Sequence, residues 1–155
     1  MDRLKYISIS GMACLVLTFF SAISWADSTP CEKNFTAKEG VLGRQIYNTW
    51  QVLPEITPQK AFRRAYIYLI REGWAINLAD KEFGIISASQ QGVSSGEGGK
   101  AAPLNVLIED LGDSGGGLSP KGIKATVTFS IPGGLHASED GVRRSFCDML
   151  ADIKR

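Results

Sequence analysis

The stretch Gly122–Ile131 alternates between apolar and polar side chains without a break. One side of an extended chain here carries only apolar residues, namely Ile123, Ala125, Val127, Phe129 and Ile131. The other side carries Lys124, Thr126, Thr128 and Ser130. This period of two predicts a strand with one buried and one solvent-facing side, as is typical of antiparallel sheets. The chain must therefore provide a layer that covers one face of a sheet.

Two segments have the period of a helix and can form that layer. Thr57 followed by Pro58 is a capping hydroxyl and then a proline at the first helical position, and Gly73 provides a stop. The apolar stripe between them comprises Phe62, Ala65, Tyr66, Leu69 and Ile70. Ser138 caps a second predicted helix, which has acidic residues in its first turn. Its predicted core stripe comprises Val142, Phe146, Met149, Leu150 and Ile153.

Four further strands complete the pattern: Arg44–Val52, Trp74–Leu78, Ile85–Ser89 and Leu104–Leu111. In the first of these, the core face is assigned to Ile46, Trp50 and Val52. The order is β-α-β-β-β-β-α, with hairpin-like connections among the last four strands. We therefore predict an α+β two-layer sandwich, with a mostly antiparallel sheet and two helices on one face. The opposite face is the candidate binding face, and it carries Asn105, Glu109, Thr126 and Thr128, with Thr49 and Gln51 beside them.

Residues 1–26 have the layout of a secretory signal peptide. A short basic start with Arg3 and Lys5 precedes the apolar run Cys14–Phe20, and small residues surround the predicted cleavage point between Ala26 and Asp27. The apolar run is too short for a permanent membrane span, although an uncleaved anchor is the alternative. We expect a periplasmic or secreted protein with an extended lead-in over residues 27–43 and a single domain over 44–155.

Length and charge exclude several classes of protein. Removal of residues 1–26 from the 155 leaves 129, which suits one domain. Of the 17 basic and 16 acidic residues, Arg3, Lys5 and Asp2 leave with the signal, so 15 of each remain. Nucleic acid and anionic membranes are not expected partners, because no basic stripe is visible. No second long apolar run follows the signal, so no integral membrane segment is predicted.

Two cysteines remain after Cys14 is lost with the signal. In an oxidising compartment Cys31 and Cys147 are expected to form a disulfide, which is the one intramolecular pairing available. The alternatives are a free buried thiol at Cys147 and a lipid-modified cysteine. The second is disfavoured because Ser28-Thr29-Pro30 before Cys31 is not a lipoprotein signal.

The segment Gly112–Gly116 resembles the nucleophile segment of chymotrypsin-like serine proteases, with Ser114 in the place of the nucleophile. That mechanism requires a histidine base that precedes the serine in the chain. The single histidine, His136, follows it. A glycine-rich loop between strands explains the same residues without catalysis.

Other motifs are similarly incomplete. Gly96–Lys100 looks like a phosphate loop, but Ser94 stands where the motif requires its first glycine, and Ala101 stands where it requires a serine or threonine. The segment also precedes a predicted strand, whereas a phosphate loop precedes a helix. His136 with Glu139 and Asp140 offers too few ligands for a metal. The acidic cluster Glu109–Asp110 with Asp113 is most simply a solvated strand end. We therefore predict no metal, no cofactor and no enzyme.

The predicted helix from Ala61 to Leu69 and the hairpin after it form a recognisable sequence pattern. After the helix come Gly73-Trp74-Ala75-Ile76, then Ala79-Asp80, then Gly84-Ile85-Ile86-Ser87-Ala88. This region, about residues 44–89, resembles the helix and hairpin of small bacterial envelope domains such as the BamC-like outer-membrane assembly lipoproteins. The resemblance implies a β-α-β4-α, helix-grip-like arrangement. The chain departs from those lipoproteins in lacking a cysteine at its expected mature end.

The expected function is that of a non-catalytic periplasmic or secreted accessory protein of the cell envelope, which binds another envelope or secreted protein. Two alternatives stay open. One is a toxin-neutralising immunity or inhibitor protein, and the other is a small hydrolase with an unrecognised carboxylate site.

Overall fold

One antiparallel sheet of six strands forms the frame of the protein. The computed structural model describes residues 28–90, 101–112 and 122–155. The strands are β1 (Thr36–Glu39), β2 (Gln45–Pro54), β3 (Ala75–Asp80), β4 (Ile85–Gln90), β5 (Ala102–Asp110) and β6 (Gly122–Ile131). Their order across the sheet is β1-β2-β6-β5-β4-β3. The longest antiparallel pairing joins β2 to β6, and β6 also pairs with β5 on its other side.

Three helices accompany the sheet: α1 (Pro30–Lys33), α2 (Pro58–Arg71) and α3 (Glu139–Lys154). The two long helices begin where the sequence predicts. Thr57 Oγ1 accepts the Lys60 N–H, and Ser138 Oγ accepts the Gly141 N–H. From β2 onward the order is β-α-β-β-β-β-α, and the predicted α+β fold is confirmed.

The segment before β2 is more structured than an extended lead-in. Thr29 caps α1 through a capping box with Glu32, in which each side chain accepts a backbone N–H of the other residue. Strand β1 then pairs with β2, with Thr36 opposite Asn48 and Glu39 opposite Gln45. Residues 30–39 therefore belong to the folded domain. The predicted signal, with its cleavage point between Ala26 and Asp27, lies outside the described residues.

A disulfide joins Cys31 in α1 to Cys147 in α3. The two Cα atoms are 5.6 Å apart, and the cysteines are separated by 116 positions in the sequence. The pair predicted from the cysteine count is therefore the pair that the fold brings together. This crosslink holds the short first helix against the last one.

The core lies between the sheet and the two long helices. Strand residues Leu53, Val106 and Val127 meet helix residues Leu69 and Leu150, and all five side chains are fully buried. Because every second residue of β6 is buried, the predicted alternation of that strand is confirmed. The helices also contact each other through polar groups at the rim of the core. The Arg64 guanidinium donates a 3.0 Å hydrogen bond to the Ile153 carbonyl oxygen, and Arg71 lies 3.5 Å from Asp152.

Helix α2 is rotated relative to the predicted apolar stripe. Its buried residues are Ala61, Ala65, Tyr68 and Leu69. Tyr66 and Ile70, both predicted to be in the core, are 37% and 52% exposed. The two alanines permit close approach to the sheet, so the larger side chains of the neighbouring stripe lie outside the contact. This rotation leaves apolar side chains at the surface of the helix.

Candidate binding face

The four predicted binding-face residues share the side of the sheet that the helices do not cover. Asn105 on β5 is directly opposite Thr128 on β6, and Glu109 is opposite Lys124. Thr126 lies between these pairs, opposite Leu107. Directly opposed residues of antiparallel strands point to the same side. Asn105 and Glu109 are exposed, and Thr126 and Thr128 are half-buried. We call this side the open face.

The predicted orientation of strand β2 is reversed, because Ile46, Trp50 and Val52, which the sequence pattern assigns to the core face, are opposite the open-face residues Ser130, Thr126 and Lys124. Trp50 is opposite Thr126, so it lies on the open face and is 38% exposed. Thr49, which the sequence pattern assigns to the open face, points toward the helices and is fully buried. Its hydroxyl donates a 2.7 Å hydrogen bond to the Cys31 carbonyl oxygen. The polar Thr49 can therefore occupy a core position, and the apolar Trp50 is left at the surface.

A row of three apolar side chains and one threonine, which we call the apolar row, crosses four strands in the middle of the open face. Ile85, Leu107, Thr126 and Trp50 are successive cross-strand neighbours on β4, β5, β6 and β2. Ile85 is 36% exposed, and Leu107 is half-buried. At about 4.8 Å between strands, the row is about 15 Å long. Of these four residues, the sequence predicts only Thr126 on this face, and it misses Ile85, Leu107 and Trp50. The position of Trp50 on the open face is known only once β2 is paired with β6, which places Trp50 opposite Thr126.

A charged pair lies along one side of this row. Lys124 Nζ is 3.3 Å from Glu109 Oε2 and 5.5 Å from the centroid of the Trp50 ring. The ammonium group therefore contacts a carboxylate and an aromatic face at once. Since both charged side chains are partly exposed, the ion pair itself stabilises the fold little. Its main effect is to place a polar rim beside the indole.

A polar row lies along the other side. Ser87, Asn105, Thr128 and Asn48 are cross-strand neighbours on the same four strands. Asn48 Nδ2 donates a 2.7 Å hydrogen bond to Thr128 Oγ1. Asn34, which precedes β1, also contacts β2: its side-chain amide donates a 2.9 Å hydrogen bond to the Trp50 carbonyl oxygen. The open face therefore has an apolar centre with hydrogen-bonding groups on both sides.

Those residues considered for catalysis or metal binding that the structure describes are not brought together into a site. Asp110 Oδ1 accepts the backbone N–H of Gly112 at 2.9 Å, as at an ordinary strand end. Asp140 accepts a 2.8 Å hydrogen bond from the Arg143 guanidinium, and His136 is exposed. Ser114 lies outside the described residues, as does Asp113. Within ranges 28–90, 101–112 and 122–155, no group of three His, Cys, Asp or Glu residues is arranged to hold a metal ion.

Comparison with known proteins gives a likeness of fold. No protein-family model matches the chain, and no curated protein is significantly similar to it. A solved structure of a conserved protein of unknown function from Enterococcus faecalis is similar, with a TM-score of 0.52 at 8% sequence identity. The match covers 79% of this chain and 75% of the other. At this identity the likeness concerns the fold alone. Among the helices in the described part of the chain, none has the length and apolar character needed to cross a membrane.

Proposed function

We propose that this chain is a non-catalytic, extracytoplasmic binding protein that uses the open face to recognise another envelope or secreted protein. The observation that carries the proposal is the apolar row of Ile85, Leu107, Thr126 and Trp50 on a sheet face that no described helix covers. A partner protein removes such a row from water at little conformational cost, because the strands already hold it in place.

The arrangement around the row supports a protein partner. Protein interfaces typically have an apolar centre and a polar rim, and tryptophan is enriched among the residues that dominate binding. Trp50 has this position, with the Glu109–Lys124 ion pair on one side and the Asn48–Thr128 hydrogen bond on the other. These groups offer charge and hydrogen bonds to a partner.

The disulfide supports a location outside the cytoplasm. Disulfides persist mainly in oxidising compartments, and Cys31 and Cys147 form one here. The predicted signal over residues 1–26 is consistent with that location. The resemblance to BamC-like domains favours the cell envelope as the place of action, and it stays part of the proposal.

Nothing in the described residues positively indicates catalysis. A hydrolase with a carboxylate site needs an acid and a base that converge on a cleft. On the open face, the Glu109 carboxylate is paired with the Lys124 ammonium group at 3.3 Å. Recognition is therefore the function that the geometry supports best.

A crosslinking pull-down from envelope extract tests this proposal. Thr126→Arg places a long charged side chain in the middle of the apolar row, and we expect it to abolish capture of the partner. Ala151→Arg adds the same side chain to the exposed surface of α3 and is the matched control. A captured envelope component supports the accessory role, whereas a captured secreted toxin identifies an immunity protein. Equal capture by both variants and the unmodified protein contradicts the assignment of the open face.

A further inference from the structure

A concave surface lies on the helix side of the sheet, away from the open face. It is an open cavity of about 620 Å³ beside the first turns of α2, and the turn between β3 and β4 contributes to its wall. Its lining includes Thr57, Lys60, Phe62, Arg63, Tyr66 and Lys81. This volume is within the range of about 300 to 1,000 Å³ that small-molecule sites occupy. We call it the α2 groove.

The α2 groove is positively charged. Lys60, Arg63 and Lys81 line it, and none of the described residues in its lining is acidic. None of the three forms a salt bridge with a residue that the structure describes. Other basic residues of the same helix and sheet are paired, as Arg71 is with Asp152 and Lys124 with Glu109. The groove therefore concentrates positive charge that no carboxylate of the described residues neutralises.

Two aromatic rings supply an apolar wall. Phe62 and Tyr66 are one helical turn apart and share a face of α2. Phe62 is half-buried, and Tyr66 is 37% exposed. They are available because α2 contacts the sheet through Ala61 and Ala65 instead. An apolar ligand body can lie against these rings with little rearrangement.

We propose that the α2 groove binds a small organic anion with an apolar or aromatic body. Its acidic group meets Lys60, Arg63 and Lys81, and its body lies against Phe62 and Tyr66. The start of α2 adds to this preference, since the helix dipole favours negative charge at that end. A concave groove suits an inserted molecule, and binding to a bilayer surface is the competing outcome of the test.

The probe for this site is 8-anilino-1-naphthalenesulfonate, an anionic aromatic dye that fluoresces when it is removed from water. N-phenyl-1-naphthylamine has the same rings without the sulfonate and is the matched ligand. We expect the purified, oxidised protein to bind the sulfonate about tenfold more tightly, and this preference to decline as salt is raised. Amide shifts in the NMR spectrum should locate the dye at residues 57–66 and 81.

The variant pair isolates the charge. Lys60→Gln with Arg63→Gln should weaken binding of the sulfonate about tenfold, as expected for two exposed ion pairs, and should leave the amine unaffected. Arg144→Gln with Lys154→Gln removes the same charge from exposed positions of α3 and should change neither. Circular dichroism checks that all variants remain folded, since this dye also binds partly unfolded chains.

Three results overturn the proposal. The first is equal affinity for the two dyes, and the second is dye-dependent shifts at Trp50 and Leu107 in place of the groove. The third is binding to phosphatidylglycerol vesicles that depends on Lys60 and Arg63 in a protein that does not bind the dye. This last result would assign the groove to a membrane surface. All three are independent of the Thr126→Arg pull-down, so this inference and the proposed function can fail separately.

Discussion

The hydroxyl of Thr49 on β2 donates a 2.7 Å hydrogen bond to the carbonyl oxygen of Cys31 in α1. Both residues are buried, and Thr49 Oγ1 is also 3.8 Å from Cys31 Sγ. The contact joins the N-terminal helix to the centre of the sheet, next to the disulfide that joins it to α3. Thr49 is thus a polar residue that the core needs.

Thr49→Val should therefore destabilise the protein, although the two side chains have nearly the same shape. The substitution leaves a buried carbonyl oxygen without its donor, which costs about 1 to 2 kcal/mol. Urea denaturation measures the change in the free energy of unfolding. Thr126→Val is the control, because Thr126 is half-buried on the open face. A cost for Thr126→Val as large as that for Thr49→Val would contradict the orientation of β2.

Replacing both Cys31 and Cys147 with serine should lower the free energy of unfolding by about 4 to 5 kcal/mol. The expected size follows from the chain entropy of a closed loop spanning 116 positions. The measurement is the shift of the urea midpoint relative to the oxidised protein. A non-reduced peptide map should also show one linked pair, and recovery of free thiols at both positions would be the contrary result.

Phe129→Ala tests which face of the sheet is the core. Phe129 is 7% exposed, and its ring packs edge-to-face with the Trp74 ring at a centroid distance of 5.6 Å. Loss of this ring should cost about 3 to 5 kcal/mol. Thr126→Arg on the other side of the sheet should change stability by about 1 kcal/mol or less. Thermal melts of the two variants compare them directly, and the reverse order of stability would mean that the faces are exchanged.

Gly84 should tolerate alanine less well than Gly73 does. Both glycines have positive φ, at +68° and +79°, so each alanine variant carries backbone strain of about 1 kcal/mol or more. A Cβ at Gly84 would in addition collide with the Ile108 carbonyl oxygen, whereas one at Gly73 meets nothing within 4 Å. Chemical denaturation of both variants isolates the collision as the difference between them. Equal losses would show that the β3–β4 turn can move away from β5.

Stability should fall in alkaline solution because of Tyr68. Burial, helped by the Glu72 and Asp148 carboxylates, raises the pKa of this phenol above its ordinary value of 10.0. The folded state therefore holds the proton more tightly than the unfolded state does. The stabilisation is complete below pH 10 and is lost as the pH rises through the raised pKa. Tyr68→Phe should flatten the dependence of the unfolding free energy on pH above 10, and an unchanged slope would refute this account.

Local signals in the sequence account for much of this fold. The alternation of Gly122–Ile131 predicts the bounds of β6, and the capping residues Thr57 and Ser138 predict the starts of both long helices. Hairpin connections then predict an antiparallel sheet. These features are predictable because they depend on residues close together in the chain. The placement of Asn105, Glu109, Thr126 and Thr128 on one face follows from the same alternation.

The remaining features depend on contacts between distant residues. In β2 the apolar residues predict one orientation, but Thr49 can be buried because Cys31, 18 positions earlier, accepts its hydrogen bond. Because successive residues of a strand point to opposite faces, burial of Thr49 places Trp50 on the open face. The secondary structure of residues 30–39 likewise depends on pairing with β2 and on the disulfide. In α2 the sequence pattern allows two neighbouring faces of the helix to be buried, and the close packing of Ala61 and Ala65 against the sheet decides between them.

The bond between Cys31 and Cys147 closes the backbone between these two residues into a covalent ring. A protease that cuts the backbone once between these residues opens the ring without releasing a fragment. All six strands, from Thr36 to Ile131, lie between the two cysteines in the sequence. A nicked molecule therefore gains the mass of one water and keeps every strand attached. Only reduction separates the pieces, so damage of this kind in an oxidising compartment stays hidden until the disulfide is broken.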